Sequence, residues 1–249
     1  MKNTLLLVLT LFTLTVQAQN NEADTTQNKV IVVESNNRFM VYWGTNYNNQ
    51  NFSQLNNTLS NLGSMYEVLP KNVASWNLGW VFEDDLVLVK TNIGFGNAIK
   101  GKKGKRNTRL SYFSSSIELG LNFSKNNNNI RIYPTAGLGV AVFTATINKD
   151  LSNINFNDIL QNPNIQATTT PTRLTNTFFV YRAGFAVDFF NKKNNNQAIG
   201  LFAGYSGSFS KRAWKLNMEQ QVGNAPSDGL SQFYAGINLL MQSRKSRKK

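Results

Sequence analysis

The sequence predicts an all-β protein: an eight-stranded antiparallel transmembrane β-barrel with up-and-down meander connections, preceded by a cleavable signal peptide. Three observations indicate this fold class. The chain starts with a short basic and apolar segment, eight later segments alternate between two kinds of side chain, and the connections between those segments are alternately long and short. These features are typical of proteins that are exported and then cross a membrane with strands.

The first segment has the pattern of a secretory signal peptide. Lys2 supplies a basic start, an apolar run extends from Leu5 to Val16, and Ala18 ends a stretch that suits a cleavage site. The alternative is a membrane anchor, but the run is shorter than the roughly 20 residues that a spanning helix needs. We therefore predict four parts: a signal peptide over 1–18, a flexible periplasmic leader over 19–37, a barrel over 38–242 and a basic periplasmic tail over 243–249.

From Arg38 onward the hydrophobic pattern has a period of two, and runs of β-branched and aromatic residues are interrupted by Asn, Gly, Lys and Asp. Each alternating segment is about as long as a tilted membrane strand, which needs about 9–11 residues, or longer. The eight predicted strands are 38–47, 72–82, 86–97, 110–123, 130–146, 175–190, 198–209 and 230–242.

Alternation gives the predicted strands one large apolar face and one face of small, polar or charged residues. In the sixth strand, Phe179, Tyr181 and Phe185 lie on one face, whereas Arg182 and Asp188 share the other with glycine and alanine. A soluble barrel would have apolar side chains inside and charges outside. The large apolar face is therefore expected to contact lipid.

The charged residues on the polar faces are expected to lie inside the barrel. They are Lys90, Glu118, Arg131, Arg182 and Asp188. One interpretation is a polar pathway for a small solute. We favour the other, an internal salt-bridge network that fills a closed barrel, because buried charges are costly unless they are paired.

The connections provide an independent indication. Those after predicted strands one, three, five and seven are long, and those after strands two, four and six are short. Transmembrane barrels show this alternation, with tight periplasmic turns and longer extracellular loops. Eight strands also make a small closure whose interior is filled by side chains.

Composition excludes several classes of function. The chain contains neither cysteine nor histidine, which rules out a lipid-modified cysteine, a disulfide, Ser-His or Cys-His catalysis and imidazole metal ligands. We expect no enzymatic activity, no cofactor and no metal. The formal charge is +13, with basic clusters at 100–109 and 244–249. The first cluster has no interleaved aromatic residue, so nucleic-acid binding is not expected.

Two long connections carry features that suggest contacts at the outer surface. The basic loop after the third strand would contact phosphate or acidic sugar groups, or would be a solvated turn. Its residues are Lys100, Lys102, Lys103, Lys105 and Arg106. In the first long connection, helical spacing predicts a short amphipathic helix that caps the barrel. That helix would present Phe52, Leu55, Leu59 and Leu62, and a weaker helical pattern follows at 151–160.

Several aromatic residues are expected to form girdles at the two membrane interfaces, where Trp and Tyr are favoured. They are Tyr42, Trp43, Trp76, Trp80, Tyr205 and Phe209.

A resemblance supports this interpretation. The signal ending Gln17-Ala18-Gln19, the Asn- and Lys-rich turns and the strand sequences 136–140 and 181–185 resemble the outer-membrane β-barrel proteins of Gram-negative bacteria, and the PorT-like group in particular. The resemblance is one of pattern over 38–242. It implies insertion into the outer membrane by the barrel-assembly machinery. Such barrels typically end on an aromatic residue, whereas the last predicted strand here ends near Met241 and is followed by a basic tail.

Three functional hypotheses remain beside a fourth, a membrane-embedded enzyme acting on lipids, which the absence of histidine disfavours. The first is a non-enzymatic outer-membrane barrel, surrounded by outer-membrane lipid, that binds a protein partner through its long extracellular loops; a secretion-system component is a variant that rests on the PorT-like resemblance. The second is a small-solute channel. The third is a soluble secreted barrel that binds an apolar ligand.

Overall fold

The computed structural model describes residues 38–62, 66–84, 86–101, 107–124, 129–148, 161, 170–191, 194–216, 220–221 and 223–242. The predicted signal peptide, leader and basic tail lie outside these residues. Eight long strands account for most of the described chain. We label them β1 Arg38–Gln50, β2 Asn72–Asp84, β3 Val87–Lys100, β4 Thr108–Leu121, β5 Ile130–Ile147, β6 Thr172–Asn191, β7 Asn194–Ser208 and β8 Ser231–Gln242.

The eight strands form a closed antiparallel barrel with meander topology. Each strand pairs with the next along the chain, and β1 also pairs with β8, from Met40 opposite Gln242 to Gln50 opposite Gln232. Closure pairs every long strand with a neighbour on both sides, as a spanning sheet requires because lipid offers no hydrogen-bond partners. The predicted fold class is therefore confirmed.

The connections lie alternately at the two ends of the barrel, but their lengths do not alternate as strictly as predicted. Those from β2 to β3, from β4 to β5 and from β6 to β7 lie at one end, the short-turn end, and the other four lie at the opposite end. The connection from β3 to β4 spans only 101–107, no longer than the 122–129 turn from β4 to β5, because β3 continues to Lys100 and β4 begins at Thr108. The first long connection contains helix α1, Ser53–Asn61. The last contains four two-residue strands, of which Lys215–Leu216 pairs with β6 and Ser227–Asp228 pairs with Arg212–Ala213.

No helix within the described part of the chain is long and apolar enough to cross a membrane.

The outer face of the barrel is apolar. Large side chains on every long strand are exposed there, among them Trp76, Ile117, Phe185 and Leu201, each with close to half of its surface accessible. On the inner face the same strands bury polar and charged residues such as Asn77, Glu118 and Asp188. This distribution is the inverse of a soluble barrel and matches a lipid-facing belt.

Glycines on the inner face leave room for aromatic rings in the lumen. A Cβ atom added to Gly79 would lie 2.8 Å from the hydroxyl oxygen of Tyr42. The Tyr42 ring fills the space over this glycine, and its hydroxyl donates a hydrogen bond to the carbonyl oxygen of Thr91 at 2.6 Å. Small and large inward residues thus alternate to fill a narrow interior.

Candidate functional site in the lumen and at the outer mouth

The lumen contains a charged cluster near the short-turn end, centred on Arg131. Its Nε and Nη2 atoms donate to Asp188 Oδ2, with the Nε contact at 2.9 Å, and its Nη1 atom donates to Glu83 Oε2 at 2.9 Å. All three side chains are almost fully buried. The guanidinium also lies 5.2 Å from the centre of the Tyr133 ring and 5.3 Å from that of Phe190.

Glu83 was not among the sequence-predicted lumen residues, because the sequence Glu83-Asp84-Asp85 resembles a turn. In the structure β2 continues to Asp84, so Glu83 keeps the inward direction of Val81. Asn122 donates a hydrogen bond from its Nδ2 atom to Glu83 Oε1 at 2.9 Å, which satisfies the second carboxylate oxygen. Side chains alternate between inward and outward along β2, and this alternation could have identified Glu83 as an inward residue.

A second charged cluster lies farther from the short turns. Arg182 Nε is 2.9 Å from Glu118 Oε1, in an ion pair whose N–H is not well aligned with the oxygen. Lys90 lies opposite Glu118 in the pairing of β3 with β4. Its ammonium group sits 5.1 Å from the centre of the Tyr42 ring and 4.8 Å from that of Phe202, a geometry that favours cation–π attraction.

The five charges predicted for the lumen therefore all lie inside the barrel, in two groups. Together with Glu83 they comprise three cations and three anions, so their formal charges cancel. Each cluster combines opposite charges with aromatic rings, which is how a buried charge avoids its full desolvation penalty.

Little space remains between these side chains. The cavity beside Lys90, Glu118 and Arg182 has a volume of about 10 Å³. That volume is close to the smallest cavity that holds one water molecule. Toward the outer end, a polar layer follows, in which Asn46 donates to Asn77 at 3.0 Å and Asn48 donates to Ser75 at 2.7 Å.

The outer third of the lumen is apolar, which corrects the expectation of a small and polar interior throughout. Helix α1 and the last long connection turn into the barrel mouth and pack against inward residues of β4, β5 and β6. The central ring contacts are those of Phe52 with Phe143 at 4.9 Å and with Trp214 at 5.2 Å. The other buried members of this cluster are Leu55, Leu59, Leu69, Val73, Leu110, Tyr112, Ala141, Ala145, Ile147, Phe178, Val180 and Leu230. An apolar lining is required there because the helix presents an apolar face.

Asp228 joins the first and last long connections. Its Oδ1 atom accepts a hydrogen bond from the backbone N–H of Gln54 at 2.8 Å, and its Oδ2 atom accepts from the N–H of Leu55 at 3.1 Å and from Nε1 of Trp214 at 2.9 Å. Gln54 and Leu55 belong to the first turn of α1, whose N–H groups have no partner within the helix. Asp228 is only 2% exposed. Although it lies far from the helix in sequence, it caps the N-terminus of α1, and its negative charge interacts favourably with the positive end of the helix dipole.

The predicted cap helix is confirmed at Ser53–Asn61, and Leu55 and Leu59 are buried as expected. Leu62 follows the helix and is exposed. The weaker helical pattern predicted at 151–160 lies outside the described residues.

One of the aromatic residues that were predicted for the girdles does not face the membrane. Tyr42 faces the lumen, where its hydroxyl donates to Thr91 as described above, because it has the same parity as the buried Met40. Trp43, Trp76 and Trp80 face outward and are exposed, and so is Phe209. Tyr205 also lies on the outer face, 5.1 Å from the ring of Phe233.

Of the predicted basic loop, the structure describes Lys100. Its Nζ atom lies 3.6 Å from Oε2 of Glu67 in the first long connection. The ion pair is partly exposed on the lysine side, so it contributes little to stability. Lys102, Lys103, Lys105 and Arg106 lie outside the described residues, and their proposed contacts with phosphate or sugar remain a prediction.

Within the described residues, the acidic side chains form no group of three or more that could hold a metal ion. The buried carboxylates are instead engaged by arginine, asparagine or backbone N–H groups, as detailed above. This arrangement stabilises the interior and leaves no inward carboxylate of these clusters in an open cavity.

Comparison with known proteins gives matches among solved structures. Neither a protein-family model nor a curated protein matches the chain. The outer membrane protein OprG from Pseudomonas aeruginosa superimposes with a TM-score of 0.50 at 11% identity, covering 85% of this chain and 98% of that one. The attachment invasion locus protein Ail of Yersinia pestis, solved with the heparin analogue sucrose octasulfate, gives a TM-score of 0.48 at 14% identity, with 82% and 99% covered. Neisserial surface protein A gives 0.46 at 10% identity, with 82% and 97% covered.

The similarity to OprG shows the fold. The apolar outer belt indicates that lipid surrounds the barrel. In a closed barrel whose outward side chains are large and apolar, the belt must lie in hydrocarbon. The chain is a transmembrane β-barrel with the eight-stranded fold of the outer membrane protein OprG.

Proposed function

We propose that the protein is a non-enzymatic, non-conducting outer-membrane barrel that holds a rigid binding surface at its outer mouth. The observation that carries this proposal is the filled lumen. From the short turns outward, the interior contains two charged clusters, a polar amide layer and an apolar plug. If the barrel transports no solute, its role is to hold the long connections in a fixed arrangement that a partner can bind.

A small-solute channel is disfavoured by the same observation. A solute would have to displace Arg131 from Asp188 and Glu83, and Arg182 from Glu118. Breaking a buried ion pair costs about 3–5 kcal/mol. Toward the outer mouth, the solute would also have to displace Phe52, Trp214 and helix α1.

A soluble barrel that binds an apolar ligand is disfavoured by the position of the apolar surface. Such a protein would need an apolar inner cavity, whereas the middle of this lumen is charged and has room for about one water molecule. The large apolar side chains lie outside instead, in a belt that would aggregate in water.

The absence of histidine and cysteine from the chain supports the non-enzymatic part of the proposal. The buried carboxylates have structural partners. Ser116 donates a hydrogen bond to Glu118 at 3.3 Å, but this contact lies beside the Arg182 ion pair inside the filled lumen. Barrel-assembly machinery and outer-membrane lipid are the partners that insertion itself requires. A role in a secretion system, implied by the PorT-like resemblance, is a finer version that would need a protein partner at the same outer surface.

The non-conducting part is tested in planar bilayers. Purified protein, shown to be folded by a change in gel mobility on boiling, is reconstituted and its current recorded alongside a known porin. We expect no stable conductance steps from the protein. Stable, reproducible steps would overturn the proposal and promote the small-solute channel.

The binding-surface part is tested by cross-linking in whole cells. A photoreactive residue is placed at Leu62, which is 58% exposed just after α1, and a matched one at Asp84, exposed at the short-turn end. We expect discrete protein adducts at Leu62 that Asp84 does not give. Adducts at neither position, or the same adducts at both, would contradict a partner at the outer mouth.

A further inference from the structure

The outer end of β6 extends beyond its neighbour β7 and forms one wall of a groove. Strand β7 ends at Ser208, opposite Val180, whereas β6 begins at Thr172. The chain after β7 runs beside this overhang and pairs with it through Lys215–Leu216. Between the two lies an open cavity of about 440 Å³, lined by Thr175, Thr177, Lys211, Arg212, Trp214 and Lys215.

The groove is strongly cationic. Lys211, Arg212 and Lys215 are exposed along one wall, and Arg173 is exposed on the outward face of β6, two residues from Thr175. None of these four cations forms an ion pair with another described residue. Among the described residues of the same connection, the acidic one is Asp228, which is buried and accepts hydrogen bonds from the backbone of α1 and from Trp214. The described groove therefore carries uncompensated positive charge.

A ladder of outward residues continues this positive charge across the barrel. Arg109 on β4 pairs with Thr146 on β5, and Thr146 pairs with Arg173 on β6. The two arginines are thus separated by two strand spacings, about 10 Å. Both are exposed on the outer face.

One contact indicates where the groove lies relative to the apolar belt. The guanidinium carbon of Arg212 lies 5.3 Å from the centre of the Phe179 ring. Phe179 is 51% exposed and belongs to the apolar belt. Arg212 therefore lies at the boundary where hydrocarbon ends and lipid headgroups begin, and its charge can reach headgroup anions without leaving the surface of the barrel.

A second groove, of about 480 Å³, adjoins the first and shares Ser210 and Lys211 with it. Its membrane side carries Tyr181, Tyr205 and Phe209, with ring centres 6.2 Å apart for the tyrosines and 5.4 Å apart for Tyr181 and Phe209. Aromatic rings with hydroxyl groups suit the region where sugar and acyl chains meet, since one end of a tyrosine is apolar and the other polar.

We propose that this face of the barrel binds a phosphorylated glycolipid of the outer leaflet. Lys211, Arg212 and Lys215 hold a headgroup phosphate in the cationic groove, and Arg173 adds positive charge beside it on β6. The sugar and the start of the acyl chains rest on the aromatic groove beside it. Arginine suits this role because its planar guanidinium donates two parallel hydrogen bonds to a phosphate, while lysine adds a point charge.

Native mass spectrometry of the whole protein in detergent tests the proposal, with diphosphorylated lipid A as the probe. The test variant is Lys211→Gln/Arg212→Gln/Lys215→Gln. The matched control is Lys125→Gln/Lys192→Gln/Lys193→Gln, which removes the same number of positive charges at the short turns. We expect one lipid A per barrel, bound about tenfold or more weakly by the test variant and almost unchanged by the control, because each basic residue near an anionic surface adds to binding.

Two further arms identify the ligand chemistry. Lipid A without its phosphates should bind about as weakly to the natural protein as intact lipid A binds to the test variant. Millimolar inorganic phosphate alone should displace little intact lipid. Equal binding of the dephosphorylated lipid, or an equal loss in the test and control variants, would overturn the proposal. Complete displacement by free phosphate, or binding of a soluble sulfated oligosaccharide in preference to lipid A, would overturn the lipid as the natural ligand.

Discussion

Replacing Arg131 by methionine is expected to destabilise the barrel strongly, although it removes no backbone hydrogen bond between strands. Arg131 is 2% exposed and donates hydrogen bonds to two carboxylates, those of Asp188 and Glu83. Methionine keeps much of the apolar contact with Tyr133 and Phe190 but leaves two anions buried without their cation. Removing one partner of a buried ion pair costs about 3–5 kcal/mol, and this is the loss we expect.

The free energy of unfolding is measured by urea titration in detergent, with the gel mobility of unboiled samples reporting the folded fraction. Arg109→Met is the matched control, because Arg109 is exposed on the outer face. Surface substitutions of this kind usually change stability by less than about 0.5 kcal/mol. The control separates the loss of a buried charge from the loss of any arginine.

A triple variant tests the cause. In Arg131→Met/Asp188→Asn/Glu83→Gln the cluster has no charge left to desolvate, so most of the lost stability should return. The reasoning is refuted if Arg131→Met stays within about 1 kcal/mol of the natural protein, well below the range for a broken buried pair. It is also refuted if the triple variant is as unstable as the single one, since the cause would then be packing.

Three further predictions concern the mouth, the belt and the lumen. Asp228→Ala removes the cap of α1 and should cost about 2–3 kcal/mol, seen as faster protease cleavage within 51–71; unchanged cleavage would contradict the capping role. Phe185→Arg should cost about 2–4 kcal/mol because it places a charge in the hydrocarbon belt, whereas Asn97→Arg near the outer interface should cost little; equal urea midpoints for the two would argue against a lipid-facing belt. Gly79→Ala places a methyl group against the backbone carbonyl of Thr91 and the Tyr42 ring and should cost about 1–3 kcal/mol, which a urea titration measures; an unchanged midpoint would show that this part of the barrel is looser than described.

Strand positions and faces were predictable because they depend on local alternation. In a barrel each inward residue is followed by an outward one, so Arg131, Arg182 and Asp188 could be assigned to the lumen from parity alone. The same rule would have placed Glu83 inside. It would also have separated Tyr42 from Trp43, because adjacent residues of one strand cannot both face lipid.

The outer mouth could be predicted only in part. Helical spacing revealed α1, but its partners lie far away in sequence: Asp228 caps a turn 174 residues before it at Gln54. No local pattern marks such a contact. A weaker signal was present in the outer ends of β4, β5 and β6, where the inward residues Leu110, Phe143 and Phe178 are apolar, unlike the polar inward residues farther along these strands. An apolar stretch of the inner face indicates that something must cover it.

The lipid-facing orientation of the strands is tested most directly by spin labels along β6. The chain has no cysteine, so single cysteines can be placed one at a time between 178 and 189 without a background. In reconstituted bilayers we expect collisions with oxygen, which concentrates in hydrocarbon, to alternate with a period of two and to be high at Phe179, Phe185 and Phe189. Low oxygen collisions at these positions, or high ones at Arg182 and Asp188, would contradict a closed barrel with its apolar face in the membrane.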